Sequence, residues 1–189
     1  MPDPYRIIGW AWTTVAIVWL AASFTSKRTV RRQAPGSRLL QLLLGAFAAL
    51  LILGKGPWKV ALSRQIVSQS LPAADLGLIL TLVGLAFALW ARFVLGRNWS
   101  GTVTIKRDHE LVRSGPYAIV RHPIYSGFLL ALLGTAIARG NLGAFAGFAV
   151  AALTLRLKAT SEESFMVEQF GPQYALYKRN VKALVPFVW

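Results

Sequence analysis

Charge is almost absent from five stretches of this chain, and that absence dictates most of what the chain can fold into. Residues 7–26 run twenty positions without Asp, Glu, Lys or Arg, the length an α-helix needs to cross ~30 Å of hydrocarbon. Residues 39–54 and 76–91 are also charge-free, and after Pro123 the stretches 124–138 and 140–155 are separated only by Arg139. At ~1.5 Å rise per residue these four reach roughly 23–24 Å. Flanking Trp58, Trp90, Trp99, Arg92 and Arg139 are expected to extend them by lying at the interface or snorkelling toward it. Inside a bilayer every backbone N–H and C=O must be bonded within the protein, so the pattern predicts an all-α integral membrane protein with about five transmembrane helices. The composition agrees, with 55% apolar residues and a mean hydropathy of +0.50, well above the range of a soluble domain. The first stretch lacks a small-x-small cleavage pattern and follows Asp3 and one Arg, so it is expected to be a retained span.

The net charge of +14 is a question of placement. Sixteen of the twenty-one basic residues follow the first, third or fifth stretch. They are Lys27, Arg28, Arg31, Arg32 and Arg38; then Arg92, Arg97, Lys106, Arg107, Arg113 and Arg121; then Arg156, Lys158, Lys178, Arg179 and Lys182. An excess of Lys and Arg marks the cytoplasmic side, so the N-terminus is expected outside and the C-terminus in the cytoplasm. Anionic membrane lipids account for these charges without a nucleic-acid partner. The chain has no cysteine, which excludes disulfides, thiolate metal sites and cysteine nucleophiles. No set of His and acidic residues has metal-ligand spacing, and no Gly-rich nucleotide loop is present.

No repeat or low-complexity linker divides the sequence, so residues 1–189 are expected to be one domain. Residues 1–95 would supply three spans with little polar content, and residues 96–189 the polar segments and the last two spans. The loop 55–75 is expected to carry a short interfacial helix, since Val60, Leu62, Ile66, Val67 and Leu71 approximate one face. Thr102-Val103-Thr104-Ile105 alternates like a strand, Lys106–His109 resembles a turn, and Glu110-Leu111-Val112 would return, which predicts a small cytosolic hairpin. Gly127, Gly134, Gly143 and Gly147 are small residues suited to close contact between the fourth and fifth spans, which a tight turn at 138–141 joins. The fifth helix should run unbroken to Phe170, where Gly171-Pro172 stops it. An amphipathic helix over 173–181 should follow, with Tyr174, Tyr177 and Val181 on one stripe.

Few residues carry chemistry. His122 is one of two histidines and stands where the fourth span begins, beside Arg121 and near Tyr117 and Tyr125. It either caps a helix start or contacts a ligand, and polar groups at membrane depth tend to be functional. His109 is expected in a solvated turn. Lys158 and Glu162 are spaced i,i+4, the spacing of an ordinary helical ion pair. Glu162 and Glu163 point about 100° apart on a helix that continues a span, so one of them can face inward. Two carboxylates beside two cations suit a zwitterionic ligand.

These residues lie in strings with a family resemblance. Gly96-Arg97-Asn98-Trp99-Ser100, His109-Glu110-Leu111-Val112 with Gly115-Pro116-Tyr117, and Arg121-His122-Pro123-x-Tyr125-x-Gly127 resemble the isoprenylcysteine carboxyl methyltransferase family. So do Glu162-Glu163, Phe170-Gly171-x-x-Tyr174-x-x-Tyr177, Val181 and Pro186. The resemblance covers residues 96–189 and implies a membrane-embedded methyltransferase dependent on S-adenosylmethionine. It implies a cofactor pocket built from the Arg-His-Pro segment and the Glu-Glu helix and roofed by the C-terminal helices, with Tyr117, Arg121, His122, Pro123, Tyr125, Glu162, Glu163 and Tyr174 as its lining. The resemblance also implies a catalytic pair of an arginine and a glutamate near the Glu-Glu segment, here Glu163 with Arg156 or Lys158 as the basic partner. The acceptor would be lipophilic, a small molecule or a prenylated or lipid group, most simply an isoprenylcysteine carboxylate. The same core also resembles phospholipid N-methyltransferases and, more remotely, NADPH-dependent membrane reductases; a non-catalytic membrane protein is the remaining alternative.

Overall fold

A computed structural model describes residues 3–24, 29–32, 35–96, 104–106 and 111–186. His109, the turn expected around it, Arg97–Ser100 and residues 187–189 lie outside the described residues. Five long helices carry the architecture: α1 (Pro4–Ser23), α2 (Pro35–Ile52), α3 (Leu71–Leu95), α5 (Pro123–Arg139) and α6 (Leu142–Phe170). A short α4 (Pro116–Ile119) precedes α5, and α7 (Pro172–Asn180) follows α6. Two short strands, β1 (Thr29–Arg32) and β2 (Thr104–Lys106), complete the order.

α1, α3 and α6 are long and apolar enough to cross a bilayer, and α2 and α5 are shorter apolar helices. The charge-free windows understate two of them, because charged residues at their edges remain helical. α3 includes Asp75 and Arg92. Arg92 is buried and donates to Gly96 O at 2.9 Å and Ala22 O at 2.6 Å, so its charge is spent on the carbonyl ends of α3 and α1. α6 extends some fifteen residues past its apolar window, and Glu162 and Glu163 lie in that extension.

Close approach of small residues organises the bundle. α3 and α5 lie side by side with backbones nearly touching. A Cβ on Gly134 would sit 2.6 Å from Gly77 O, and one on Gly127 2.6 Å from Gly84 O. Thr81 lies between them, bonded to Gly77 O at 2.8 Å and to Ala131 O at 3.2 Å. α1 packs on this pair through Val15, Leu85 and Ala131, and Trp12 Nε1 donates to Thr135 Oγ1 at 3.0 Å. α2 packs on α6, where a Cβ on Gly147 would meet Ala48 O at 2.7 Å. The glycines of α5 and α6 therefore face α3 and α2, not each other. Short linking turns made the α5–α6 hairpin look like the tight contact, but loop length fixes only adjacency, and the missing Cβ atoms serve other partners.

Two further expectations are corrected. Residues 53–70 form no helix. Residues 62–67 run instead as a strap over the α5–α6 turn, with Ile66 N and Val67 N donating to Gly140 O at 2.7 and 3.0 Å and Leu142 N to Arg64 O at 2.8 Å. Gly140 makes that turn at φ +67°, where a Cβ would be 2.4 Å from Val67 O. The strand expected near 102–105 is present over Thr104–Lys106, but it pairs antiparallel with β1, Thr29 opposite Lys106 and Arg32 opposite Thr104. Described residues 111 and 112 carry no strand. A distant segment supplied the partner that local spacing had assigned to the next turn.

Candidate functional site

The site forms where α5 begins and α6 passes it. Val120 ends α4 in extended conformation, and the chain then runs parallel to the C-terminal segment: Arg121 N donates to Lys182 O at 2.8 Å and His122 N to Ala183 O at 3.0 Å. Pro123 opens α5 fully buried, its missing N–H costing nothing at a helix start. Ser126 Oγ donates to Leu184 O at 2.5 Å. The first turn of α5 is thus pinned to residues 182–184, and the Arg-His-Pro segment is held on both sides.

His122 stands between the two glutamates of α6. Its Nδ1 lies 3.5 Å from Glu162 Oε2 and its Nε2 3.3 Å from Glu163 Oε1. Burial pushes the imidazole pKa down, but hydrogen bonds to Glu162 and Glu163 outweigh it and the pKa stands above its ordinary value. The ring stacks on Tyr125, centroids 5.6 Å apart and planes 5° from parallel, and the Tyr125 hydroxyl donates to Glu162 Oε1.

Glu162 and Glu163 have different company. Glu163 Oε1 accepts from Arg121 Nε at 2.9 Å and Nη2 at 2.5 Å, and its Oε2 lies 2.7 Å from Lys178 Nζ on α7. Arg121 also donates to Lys178 O at 3.2 Å and to Val181 O, so one guanidinium ties α5, α6 and the C-terminal segment together. Glu162 is held by Tyr125 and His122, and its side chain is twice as exposed as that of Glu163, 22% against 11%. Lys158 Nζ lies 5.4 Å above the Tyr125 ring, and its charge acts on Glu162. Arg156, two residues back, is exposed.

The tyrosines complete the wall. The Tyr117 hydroxyl is turned toward α3 and donates to Ala91 O at 3.4 Å. Tyr177 donates to Tyr117 O at 2.6 Å, and Tyr174 packs edge-on against Tyr177 at 5.9 Å. Burial pushes all three phenols up, Tyr177 to about 12, so they stay protonated donors at neutral pH.

The structure therefore brings Arg121, His122, Pro123, Tyr125, Glu162 and Glu163 into one cluster, sets Lys158 at its edge, and places Tyr117 and Tyr174 behind it. Sequence reasoning missed Lys178 and Ser126. Their partners lie across helix boundaries, fifteen residues away for Lys178 and fifty-eight for Ser126, beyond any helical periodicity. The sharp turn at Gly171, φ +47°, is the signal that α7 folds back onto α6.

The sequence pattern of the isoprenylcysteine carboxyl methyltransferase (ICMT) family matches residues 77–168, from early in α3 to the end of α6 and short of α7. A protein-S-isoprenylcysteine O-methyltransferase B of Arabidopsis thaliana is 34% identical over 118 residues, 61% of this chain and 60% of that protein. The protein-S-isoprenylcysteine O-methyltransferase of Schizosaccharomyces pombe (strain 972 / ATCC 24843) is 36% identical over 96 residues, 49% of this chain and 41% of that protein. The chain thus spans between two-fifths and three-fifths of these relatives' lengths. In fold it is similar to the eukaryotic intramembrane Ras methyltransferase ICMT, with a TM-score of 0.62 over 99% of this chain and 68% of that one, at 23% identity. Over the segment 77–168, which holds α5, the Arg-His-Pro sequence and both glutamates, the chain is similar to the isoprenylcysteine carboxyl methyltransferase family.

Proposed function

We propose that this integral membrane protein transfers a methyl group from S-adenosylmethionine to the carboxylate of a lipophilic acceptor of the isoprenylcysteine type. One observation carries the reading: Glu162 and Glu163 meet Arg121, His122 and Tyr125 at one end of an apolar helical bundle, inside the segment that matches the family. The donor set fits the cofactor. Carboxylates and ammonium or guanidinium groups alternate within hydrogen-bond reach, as a zwitterion with an added positive sulfur requires. The phenols and the imidazole offer apolar faces for an aromatic base.

S-adenosylmethionine supplies a methyl group already activated on a sulfonium. The chain's own work is alignment and exclusion of water. Arg121 braces Glu163 and the C-terminal segment, so the wall of the site is rigid. Glu162, less encumbered than Glu163, presents negative charge where positive charge must be held. A carboxylate acceptor needs no general base, only a cation to orient it. Lys158 is the better placed of the two sequence candidates, because it overhangs Tyr125 in the cluster, while Arg156 is an exposed residue. Glu163 is assigned to anchoring, since three donors already occupy it.

The positive-inside charge distribution supports a cytoplasmic site with the N-terminus outside, so a water-soluble cofactor arrives from the cytoplasm and the acceptor's lipid tail from the bilayer. Thermal unfolding in detergent tests the cofactor assignment. S-adenosylhomocysteine should raise the unfolding temperature and NADPH should not. Protection by NADPH alone would turn the reading toward a reductase.

A further inference from the structure

Arg139 closes α5, the helix that His122 opens, so roughly 24 Å of helix separates it from the candidate site. Four cations gather at that remote end. The Arg139 guanidinium crosses to the end of α2, where Nη2 donates to Leu53 O at 3.3 Å. A Cβ on Gly54 would lie 3.5 Å from the same nitrogen. Lys55 follows directly, its N–H bonded to Leu50 O at 2.9 Å. Lys59 lies in the turn before the 62–67 strap and Arg64 in the strap itself. Both are fixed to the bundle, since Leu62 N donates to Trp58 O at 3.0 Å, Gly143 N to Leu62 O at 3.0 Å and Leu142 N to Arg64 O at 2.8 Å.

Lys55, Lys59 and Arg64 are exposed. Among the described residues none of these four cations makes an ion pair, and the sequence holds no Asp or Glu between Asp3 and Asp75. Arg139 Nε and Trp58 Nε1 are also buried without an acceptor, although each side chain as a whole is only half buried. The protein alone therefore leaves both charge and donors at this end uncompensated, which is costly beside hydrocarbon. Apolar surface adjoins the charge. Trp58 stands edge-on to Phe47 of α2 at 5.3 Å, and Phe47, Leu50 and Leu53 run back along α2 as exposed side chains.

We infer that this end of the bundle binds an anionic phospholipid, its phosphodiester among Lys55, Lys59, Arg64 and the Arg139 guanidinium and its acyl chains along Phe47, Leu50 and Leu53. Charge complementarity and the adjoining apolar face select this occupant. An inorganic anion would use the cations and leave the leucines uncovered, and a zwitterionic lipid would bring its own cation into the cluster. The backbone that carries the cations is tied down before the lipid arrives, so little ordering opposes binding. The site is separate from methyl transfer and independent of the acceptor's identity.

Thermal unfolding in detergent, followed while lipid is added, tests the inference. Phosphatidylglycerol should raise the unfolding temperature saturably and phosphatidylcholine should not. The triple variant K55Q/K59Q/R64Q changes only exposed side chains. It should lose ~10-fold or more in apparent phosphatidylglycerol affinity, the scale of one or two bases facing an anionic headgroup. R113Q/R179Q/K182Q, which removes the same charge from exposed positions outside the remote end, should keep that affinity. Equal loss in the two triple variants would reduce the effect to diffuse attraction and overturn the inference. Equal protection by the two lipids, or unchanged affinity in K55Q/K59Q/R64Q, would overturn it as well.

Discussion

Arg121 meets Glu163 Oε1 with two of its nitrogens, Nε at 2.9 Å and Nη2 at 2.5 Å, from the residue before His122 on one element to the second of two adjacent glutamates on another. Both side chains are nearly buried, so removing Arg121 takes two charge-assisted hydrogen bonds from Glu163 and leaves it only His122 and Lys178. The Arg-His-Pro segment therefore sets a bracing arginine directly beside the histidine of the candidate site.

Arg121→Met should lower stability by ~1.5–3 kcal/mol, the scale of hydrogen bonds to a charged group, since His122 and Lys178 still compensate Glu163. The double variant Arg121→Met with Glu163→Gln should recover part of the loss. Thermal unfolding in detergent measures both. An unfolding temperature unmoved by Arg121→Met would mean that the brace does not hold the site together.

Lys158→Met should reduce turnover on a carboxylate acceptor by ~10²-fold or more through lost alignment, while leaving S-adenosylhomocysteine affinity nearly unchanged. Arg156→Met should be tolerated. Steady-state kinetics alongside calorimetry separates the two effects. If both variants keep full turnover, a cation does not hold the acceptor here, and an amine acceptor with Glu162 as proton acceptor becomes the better account.

The pH dependence of stability has a definite sign. The pKa of His122 is raised in the folded protein from its ordinary 6.5. Its stabilising contribution is therefore complete below pH 6.5 and is lost as pH rises through the higher folded-state value. The unfolding temperature should fall across that interval in the wild type, and the fall should be shallower in His122→Gln. Equal slopes in the two proteins would show that His122 does not carry the proton between Glu162 and Glu163.

Gly134→Ala should destabilise the protein by ~1–3 kcal/mol, the cost of overpacking, because its Cβ would lie 2.6 Å from Gly77 O and 2.6 Å from Thr81 N. Gly45→Ala, where nothing lies within 4 Å, should be neutral or slightly stabilising. Comparable unfolding temperatures for the two variants would contradict the close α3–α5 contact.

Hydrophobic runs made the five long helices legible, because a bilayer leaves a charge-free segment no other regular structure. The meeting of His122 with Glu162 and Glu163 was legible through the family resemblance of its strings and through the scarcity of acids and histidines in the chain. The glycine partners were not legible. Gly127 and Gly134 announce a close contact but not with which helix, and α3 supplies the matching Gly84 and Gly77 from forty-three and fifty-seven residues away. The β1–β2 pairing was hidden for the same reason, since alternation at 102–105 says nothing about a partner at 29–32. Lys178 was hidden because nothing in the local pattern of α7 separates a lysine that folds back onto α6 from one that points into water.

The central claim is methyl transfer to a lipophilic carboxylate, and it is tested most directly by incubating the purified protein with S-adenosylmethionine labelled in its methyl group. Farnesylcysteine and phosphatidylethanolamine are offered as separate acceptors. Label should pass to farnesylcysteine, be released by mild base as expected of a methyl ester, and depend on both Lys158 and Glu162. Base-stable label on phosphatidylethanolamine with none on farnesylcysteine, or no transfer to either from a protein that binds S-adenosylhomocysteine, would contradict it.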